Sequence, residues 1–262
     1  MRLGPWIERC PAPLRVALKR LRRAVRMGGP SADYRVLSGE APRRLLGGFA
    51  DDAVAERQQA AFAPLLEELR AGRPREDFRT LARAVALTGL RPPSVIEVGC
   101  GSGWNAEVLT RLGGEPIRYV GIDYSPTMLA IARRAYPEHR FVLADALNLP
   151  LRDGAAEILV SGGILMHLLD YRDAIRESRR VARRWCVFHT IPVMTRRNTT
   201  LLEKRAYGSP TIEVIFNEAE LKRLFDEFGF RVRHVLPNIP YDLEDILGER
   251  TVVKTFLCEV DG

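Results

Sequence analysis

The sequence predicts an α/β fold, a mainly parallel sheet with helices on both faces, and three observations carry that prediction. From Ser94 onward, short apolar runs typical of strands alternate with amphipathic stretches typical of helices. The first run, 94–98, leads directly into glycines at alternate positions. Two later runs end in aspartates, Asp123 and Asp145. Parallel neighbours need a helical crossover, so this alternation predicts a doubly wound sheet with ligand-binding turns at one edge.

Seven strands and four helices are expected in this part of the chain, because each apolar run is bounded by turn residues or helix caps. The predicted strands are 94–98, 117–122, 140–144, 156–160, 185–191, 230–236 and 251–260. The predicted helices are 103–112, 126–136, 171–183 and 218–228. In the third of these helices, the apolar spacing predicts an inner stripe made of Ala174, Ile175, Ser178 and Val181.

The domain prediction is a helical cap over residues 1–90 followed by an α/β domain over 91–262, with Arg91-Pro92-Pro93 at the boundary. Within the cap, a helix is expected at 53–71, and Pro64 inside it predicts a kink or a break. A second helix is expected at 76–89. Its predicted buried residues are Phe78, Leu81, Ala82, Val85 and Ala86.

The glycine-rich turn after the first strand has a spacing that discriminates between ligands. Its pattern is E-x-G-x-G-x-G, from Glu97 to Gly103, whereas dinucleotide-binding turns follow G-x-G-x-x-G. A carboxylate two residues before the first glycine repels phosphate but suits an ammonium group. This favours S-adenosylmethionine, whose amino-acid end carries an ammonium, although three alternating glycines also occur in tight turns without a ligand.

The aspartates at the ends of the next two strands extend this site. Asp123 follows the glycine turn by about 20 positions, where an acidic residue is placed to accept both ribose hydroxyls. The alternative is that Asp123 caps the next helix, but Ser125 before Pro126 is the better N-cap, which frees Asp123 for a ligand. Asp145, after the third strand, is placed to accept from an exocyclic amine of adenine.

With these motifs the chain resembles the class I S-adenosylmethionine-dependent methyltransferases. The resemblance spans about residues 90 to 262 and is carried by VIEVGCGSG (95–103), YVGIDYS (119–125), FVLADALNLPL (141–151), AEILVSGGILMHL (156–168) and FNEAELKRLFDEFGF (216–230). It implies a Rossmann-like sheet of seven strands in the order 3-2-1-4-5-7-6, with the last strand antiparallel. It also implies S-adenosylmethionine as the cofactor.

The resemblance implies a role for individual residues of the cofactor site. Glu97 is expected to hold the methionine ammonium, and Asp123 to take the ribose diol. Tyr124 is expected to lie against the adenine, whose edge Asp145 and the Ala146 amide read. The other expected cofactor residues are Gly99, Cys100, Gly101 and Gly103 in the glycine turn and Ser161 at the end of the fourth strand.

The acceptor side is less determined by the sequence. His167 follows the fourth strand and titrates near neutral pH, so it is the candidate general base, with a structural or substrate-lining role as the alternative. Nucleic-acid enzymes that methylate amino groups carry an Asn/Asp-Pro-Pro-Tyr/Phe sequence, which this chain lacks. The loop also has no cysteine that could act as a nucleophile on a pyrimidine carbon. We therefore expect O-methylation of a small molecule or sugar. An RNA methyltransferase and a non-catalytic cofactor-binding module are the alternatives.

The segment 195–216 is too long for an ordinary connection and is expected to form a substrate lid, with a solvated loop as the alternative. The residues in it that are expected to recognise an anionic or sugar-bearing acceptor are Arg196, Arg197, Lys204, Arg205 and Tyr207. In the cap, Tyr34 and Arg35 are expected to close over the carboxylate of the cofactor.

Composition and charge narrow the partners. With 46% hydrophobic and 28% charged residues the chain is typical of soluble proteins, and its four scattered cysteines favour reduced thiols in the cytoplasm. The histidines show no metal-ligand spacing, so no metal is expected. The net charge of +7 is concentrated in two runs, 14–26 and 172–184.

The run 14–26 predicts a basic amphipathic helix with Leu14, Ala17, Leu18, Leu21 and Val25 on one side. Three interpretations remain open for it: a helix docked on the domain, a helix that contacts a membrane surface or an anionic partner, and a cleaved transit peptide. Nucleic acid is a less favoured partner, because basic residues and aromatics do not interleave.

Overall fold

The computed structural model describes residues 10–27, 34–38, 45, 49, 51–114 and 116–261, with only the backbone described for 20–27. Its helices are α1 (Ala12–Met27), α2 (Asp52–Arg70), α3 (Glu76–Ala86), α4 (Trp104–Gly113), α5 (Pro126–Ala135), α6 (Tyr171–Val181), α7 (Glu218–Glu227) and α8 (Glu244–Leu247). Its strands are β1 (Tyr34–Val36), β2 (Ser94–Val98), β3 (Arg118–Asp123), β4 (Arg140–Leu143), β5 (Ala156–Gly162), β6 (Ala182–Met194), β7 (Thr200–Ala206), β8 (Ser209–Asn217), β9 (Phe230–Pro237) and β10 (Val252–Val260).

Seven of these strands form the sheet that the sequence predicts. They lie in the order β4-β3-β2-β5-β6-β10-β9. The first five are parallel, and β10 is antiparallel to both β6 and β9. The predicted fold class and strand order are therefore confirmed, and the carboxyl ends of β2, β3, β4 and β5 meet at one edge.

Three further strands extend the sheet beyond the prediction. The end of β6 pairs in parallel with β8 through Val193↔Phe216 and Met194↔Asn217. Strands β7 and β8 form an antiparallel hairpin, and β1 pairs with the outer side of β7. For the segment 195–216, the alternative of a solvated loop was wrong, because most of this segment is paired and residues 211–216 are buried.

The hairpin turn is made by two residues, Tyr207 and Gly208, that both have positive φ angles of 50° and 80°. This conformation matches the twist of the flanking strands and explains why the turn closes so tightly. A sequence signal for it exists. Two runs of β-prone residues, 200–206 and 209–217, are separated by two residues that end in glycine.

The helix at 52–70 corrects one expectation. Pro64 lies inside α2, yet the helix is continuous from Asp52 to Arg70. The predicted break at Pro64 is therefore absent. Leu66 and Leu69, beyond the proline, are buried and belong to a cluster with Phe78 of α3. This packing compensates for the one backbone hydrogen bond that a proline removes.

Helix α3 packs into the same core as the sheet. Leu81, Ala82 and Val85 belong to a cluster with Val95 of β2 and other strand residues. The prediction for Ala86 was wrong, because Ala86 is exposed and Ala84 is buried instead. The predicted inner stripe of α6 is confirmed in all four positions, which are the buried residues of that helix.

Helix α1 contacts the rest of the chain through basic residues. Arg15 donates to both carboxylate oxygens of Glu244, at 2.7 and 2.5 Å, and Lys19 pairs with Glu244 and with Asp242. The Arg15 hydrogen bonds, despite the opposing effect of burial, lower the pKa of Glu244 to about 2. Leu14, from the predicted apolar side, is 51% exposed. In the described part of the chain, no helix is both long and apolar enough to cross a membrane.

Candidate active site

A cavity of about 660 Å³ opens at the carboxyl edge of the parallel strands. This volume lies within the range of about 300–1,000 Å³ typical of small-molecule sites. On the sheet side, it is lined by the turns after β2, β3, β4 and β5, which include Gly99, Gly101, Asp123, Tyr124, Asp145, Ala146, Gly162 and Gly163. On the opposite side, it is lined by α2, α3 and the hairpin β7–β8, which include Gln58, Phe62, Arg75, Phe78, Lys204 and Tyr207.

The glycine turn needs glycine for its backbone and for its packing. Gly99, Gly101 and Gly103 have φ angles of 77°, 53° and 80°, a region that side chains rarely adopt. A Cβ on Gly99 would lie 1.7 Å from a side-chain carbon of Ile164. Gly103 differs from the other two. A Cβ there would meet Phe141 at 2.9 Å, so Gly103 packs into the core and does not line the cavity.

Asp123 connects the turn after β3 to the glycine turn. One carboxylate oxygen accepts from the Gly101 N–H at 2.8 Å, and the other accepts from the Ser125 N–H at 2.9 Å. Ser125 caps α5, as predicted, by accepting from the Met128 N–H. Burial raises the pKa of Asp123, and these backbone hydrogen bonds oppose that shift. These backbone N–H groups hold the carboxylate in the cavity wall, at the position expected for the ribose diol.

Glu97 lies immediately behind the cavity wall. The buried carboxylate accepts from the Tyr119 hydroxyl and, at 2.6 Å, from the Asn105 side-chain amide. Burial raises the pKa of Glu97 to about 7, against the opposing effect of these two hydrogen bonds. A Cβ on Gly162 would lie 2.1 Å from one of the Glu97 oxygens. Gly162 lines the cavity, so only its backbone stands between this carboxylate and the ligand space.

Six of the expected cofactor residues line the cavity: Gly99, Gly101, Asp123, Tyr124, Asp145 and Ala146. Tyr124 is 44% exposed at its rim. Besides Glu97 and Gly103, two others lie behind the wall. The Cys100 thiol is buried next to Gly121, and burial raises its pKa. Ser161 is buried inside β5, because that strand continues to Gly162.

Aromatic side chains cover the cavity. The Phe62 ring of α2 stacks on Trp104, with centroids 4.0 Å apart. Tyr207, at the tip of the hairpin, lies 6.4 Å from the Phe49 ring, and its carbonyl accepts from the Arg57 side chain. The Ser102 hydroxyl of the glycine turn donates to Gln59 of α2 at 2.6 Å. Helix α2 and the hairpin thus close the side opposite the sheet.

His167 belongs to a short 3-10 turn at Leu165–His167, where it is partly buried in the cavity wall. Its Nδ1 lies 2.8 Å from the Ile212 carbonyl oxygen. A carbonyl only accepts, so Nδ1 carries the proton and Nε2 keeps its lone pair. Burial lowers the pKa of His167, partly offset by Glu213, which leaves the imidazole neutral at pH 7.

The sequence analysis missed a polar group at the far end of the cavity. Arg75 donates to both oxygens of Asp77, one at 2.7 Å, and its guanidinium lies over the rings of Phe62 and Phe78 at 5.5 and 5.4 Å. Arg75, Asp77 and Phe78 adjoin in the sequence, but nothing in that run signals a place in a cavity, because α3 reaches the cavity only through tertiary packing.

His189 and Thr190 were also missed. Both line the cavity. They form a β-bulge in β6, because these two residues lie opposite one residue of β10, Thr255. Thr190 has a φ angle of 61°, a strained conformation for a β-branched residue. His189 Nδ1 lies 2.9 Å from the Thr255 hydroxyl, and burial lowers the pKa of His189 to about 4. A strained bulge within a strand was not visible as a sequence pattern.

Two expected acceptor residues lie elsewhere. The backbone N–H groups of Arg196 and Arg197 donate to Glu249 at 2.6 and 2.9 Å, and the Arg197 side chain donates to the Leu247 carbonyl. Neither lines the cavity. Charged residues in a loop are available to a nearby carboxylate as well as to a substrate, and the sequence does not show which is closer. Of the other three expected acceptor residues, Lys204 and Tyr207 line the cavity and Arg205 does not.

The expectation that Tyr34 and Arg35 close over the cofactor was also wrong. The Tyr34 hydroxyl lies 2.9 Å from that of Tyr241, and Arg35 pairs with Glu203. Neither residue lines the cavity, because pairing of β1 with β7 holds both at the outer side of the hairpin. Among the described residues, no cluster of three or more metal-ligating side chains occurs.

Comparison with known proteins agrees with this geometry. A family described as a methyltransferase domain matches residues 96–188, about a third of the chain. A Mycolicibacterium smegmatis protein described as a probable S-adenosylmethionine-dependent methyltransferase is 29% identical over 54% of this chain and 53% of its own length. A demethylmenaquinone methyltransferase of Thermus thermophilus is 38% identical over 40% of this chain and 50% of its own. The chain thus matches about half the length of these relatives.

Solved structures share the fold over most of the chain. The Burkholderia thailandensis 1,6-didemethyltoxoflavin-N1-methyltransferase, solved with 1,6-didemethyltoxoflavin and S-adenosylhomocysteine, has a TM-score of 0.57 at 16% identity and covers 88% of this chain and 97% of its own. The magnesium protoporphyrin IX methyltransferase of Synechocystis, solved with S-adenosylmethionine, has a TM-score of 0.55 at 14% identity, over 86% and 100%.

The residues of the cavity fit S-adenosylmethionine on the sheet side. The backbones of Gly99 and Gly162 line the cavity at positions where side chains would collide with Ile164 and Glu97, and Asp123, Asp145 and Ala146 line it at the ends of the next two strands. Together with the sheet order, the matched family and its relatives, this fit supports S-adenosylmethionine as the cofactor. Residues 96–188 of the chain form a methyltransferase domain of the class I, S-adenosylmethionine-dependent type.

Proposed function

We propose that the protein transfers the methyl group of S-adenosylmethionine to an oxygen atom of a small-molecule acceptor. One observation carries the proposal: the glycine turn and His167 open into the same covered cavity of about 660 Å³. A cavity of that size, bordered by α2 and the hairpin, suits a cofactor beside a small acceptor. A polymer would need an open groove.

On the sheet side, we assign the binding of the cofactor to the turns. Asp123 would accept from the ribose hydroxyls, and Asp145 with the Ala146 amide would read the adenine edge. Glu97 would balance the methionine ammonium across the Gly162 backbone. When bound, the cofactor supplies an electrophilic methyl group on a sulfonium.

On the opposite side of the cavity, the roof is formed by α2, α3 and the hairpin β7–β8. We assign the orientation and activation of the acceptor to this roof and to His167. Phe62 and Phe78 would hold an apolar acceptor against the cofactor side, where orientation alone is worth several kcal/mol of barrier. His167 Nε2 would take the hydroxyl proton as the acceptor oxygen attacks, because Nδ1 is already engaged by Ile212. The roof would exclude water, which otherwise competes as an acceptor.

The names of the relatives support a small acceptor. Demethylmenaquinone and 1,6-didemethyltoxoflavin are small ring compounds, and each is the substrate in the name of a similar protein. By contrast, the basic charge does not favour nucleic acid. Arg180 of α6 pairs with Glu177 and Asp153, and Arg176 pairs with Asp173, so much of the predicted basic surface is neutralised.

The first experiment is transfer of radiolabelled methyl from S-adenosylmethionine into fractionated cell extract, with Asp123→Asn as the control. We expect label in the small-molecule fraction that is absent with the variant. Label in nuclease-sensitive material would overturn the proposal in favour of a nucleic-acid substrate. Binding of S-adenosylhomocysteine without label in any fraction would favour a non-catalytic module.

A further inference from the structure

Lys204 is a cation in the acceptor end of the cavity. Its side chain is 22% exposed, and it lines the cavity together with Thr211, its direct cross-strand partner in the hairpin. Side chains opposite each other on antiparallel strands lie on the same face. Ile212, the next residue, holds His167 through its carbonyl. The hairpin therefore brings an ammonium group and a neutral imidazole to one end of the cavity.

Four groups surround Lys204 and keep it charged. Its Nζ lies 2.9 Å from Glu213 Oε2, and the other Glu213 oxygen accepts from the Tyr241 hydroxyl at 2.6 Å. The rings of Tyr34 and Tyr241 flank the ammonium at 5.6 and 5.3 Å, and His167 faces it without a charge. Burial lowers the pKa of Lys204, but Glu213 and Tyr34 more than offset this and raise it above its ordinary value.

This arrangement leaves Lys204 with capacity for a ligand. An ammonium group has three N–H donors, which is more than the ion pair with Glu213 occupies. The other basic side chain in the cavity wall, Arg75, is held by Asp77 at the start of α3 and lies over Phe62 and Phe78. Lys204 instead lies on the hairpin opposite Thr211, the residue before Ile212, whose carbonyl holds His167. Among the described cavity residues, Lys204 is therefore the cation best placed to contact an oxygen that is close to His167.

We infer that the acceptor carries an acidic hydroxyl, a phenol or an enol, and that Lys204 binds its oxygen while His167 takes its proton. This inference rests on the proposed O-methyl transfer and names its acceptor class. The acceptor O–H bond breaks, and its proton goes to His167 Nε2. The oxygen forms a bond to the methyl carbon as the bond from that carbon to sulfur breaks, and the electron pair stays on sulfur.

The chemistry favours an acidic hydroxyl over an alcohol or sugar. His167 is a weak base, because its pKa is lowered by burial. A phenol has a pKa of about 10 in water, and an adjacent cation lowers such a pKa by about 1–3 units, which brings it within reach of an imidazole. The aromatic wall of Phe49, Phe62 and Phe78 fits the flat ring that carries such a hydroxyl.

The test uses 4-nitrophenol, whose phenol and phenolate forms differ in colour, as a probe bound to the full chain with S-adenosylhomocysteine. We expect the apparent pKa of the bound probe to lie at least about one unit below its value in water. Lys204→Arg keeps this shift. The double variant Lys204→Met/Glu213→Gln removes both charges without leaving a buried carboxylate unpaired, and abolishes it. Lys222→Met, an exposed lysine paired with Glu218, is the matched control and leaves it unchanged.

The outcomes separate this inference from the proposed function. A bound probe whose pKa is unshifted, or shifted equally in the double variant, overturns the role of Lys204. Methylation of alcohols or sugars in preference to phenols overturns the acceptor class but leaves O-methyl transfer intact. A Lys204-dependent shift without methyl transfer to any hydroxyl supports the binding site and contradicts the proposed function instead.

Discussion

The two halves of the cavity are built in different ways. The cofactor half consists of backbone turns at the ends of neighbouring strands. Gly99 follows β2, Asp123 is the last residue of β3, and Asp145 lies two residues after β4. The acceptor half consists of side chains from elements far apart in the chain, such as Phe62, Lys204 and others of α2, α3 and the hairpin. The first half depends on local conformation, and the second depends on tertiary packing.

The largest expected effect tests the acceptor half. His167→Asn keeps a side-chain amide to donate to Ile212 but removes the base. We expect kcat to fall by about 100- to 10,000-fold, the typical worth of a general base, with the affinity for S-adenosylhomocysteine unchanged. Steady-state kinetics and calorimetric titration measure the two quantities. A kcat close to that of the unmodified enzyme would place the base elsewhere.

The cofactor half is tested by adding one carbon to the glycine turn. Gly99→Ala places a Cβ against Ile164 at a φ angle of 77°. Overpacking costs about 1–3 kcal/mol and a left-handed alanine about 1–2, so we expect the free energy of unfolding to fall by about 2–5 kcal/mol. Gly114→Ala is the matched control, since its φ is 72° with nothing within 4 Å. Denaturant unfolding compares them, and equal losses would mean that the contact with Ile164 yields freely.

The pKa of Glu97 predicts a pH dependence in the cofactor half. It is raised from 4.5 to about 7, so the folded protein keeps a proton that the unfolded chain has lost. The free energy of unfolding should therefore fall as the pH rises through this window, by about 3 kcal/mol at 1.36 kcal/mol per unit. Glu97→Gln removes this contribution. Parallel slopes for both proteins in denaturant unfolding between pH 5 and 7.5 would contradict it.

The ribose contact is expected to have a smaller effect. Asp123→Asn keeps an acceptor for one of the Gly101 and Ser125 amides but removes the charge. Hydrogen bonds to charged groups contribute about 1.5–3 kcal/mol, so the Kd for S-adenosylhomocysteine should rise about 10- to 150-fold. Calorimetric titration measures the Kd, and the melting temperature verifies folding. An unchanged Kd would show that the ribose lies elsewhere.

The smallest effect concerns the tip of the hairpin. Tyr207→Asn suits the positive φ angle of that position but removes the ring that lies near Phe49. An aromatic contact contributes about 0.5–1.5 kcal/mol, so the KM for the acceptor should rise about 2- to 12-fold, while the KM for the cofactor stays the same. A change in the cofactor KM alone would move Tyr207 to the other half of the cavity.

The difference between the cofactor half and the acceptor half also explains which parts of the fold and of the cavity could be predicted from the sequence. Strand β2 was predicted with its exact bounds, and Asp123 was placed at the end of the next strand, because both follow from local apolar runs and turn residues. The positions of Phe62, Arg75 and His189 in the cavity were not predictable. Their surroundings are formed by long-range packing, which no periodicity along the chain records.

The expected lid shows an intermediate case. A segment on the acceptor rim was expected at 195–216, and Tyr207 was correctly chosen as a cavity residue, but Arg196 and Arg197 were not distinguished from it. Length alone reveals that a segment is inserted. Only the hairpin register determines which of its side chains face inward, because alternate residues point to opposite sides.

The short ladder between β6 and β8 has a consequence for how this enzyme can diversify. The hairpin joins the parallel sheet through two residue pairs only, Val193↔Phe216 and Met194↔Asn217. A replacement hairpin would need to preserve those pairs, the packing of Val214 and Phe216 in the core, and the Ile212 carbonyl that holds His167. Under the proposed function, exchange of its other residues would alter the choice of acceptor and leave the strand-end turns of the cofactor half intact.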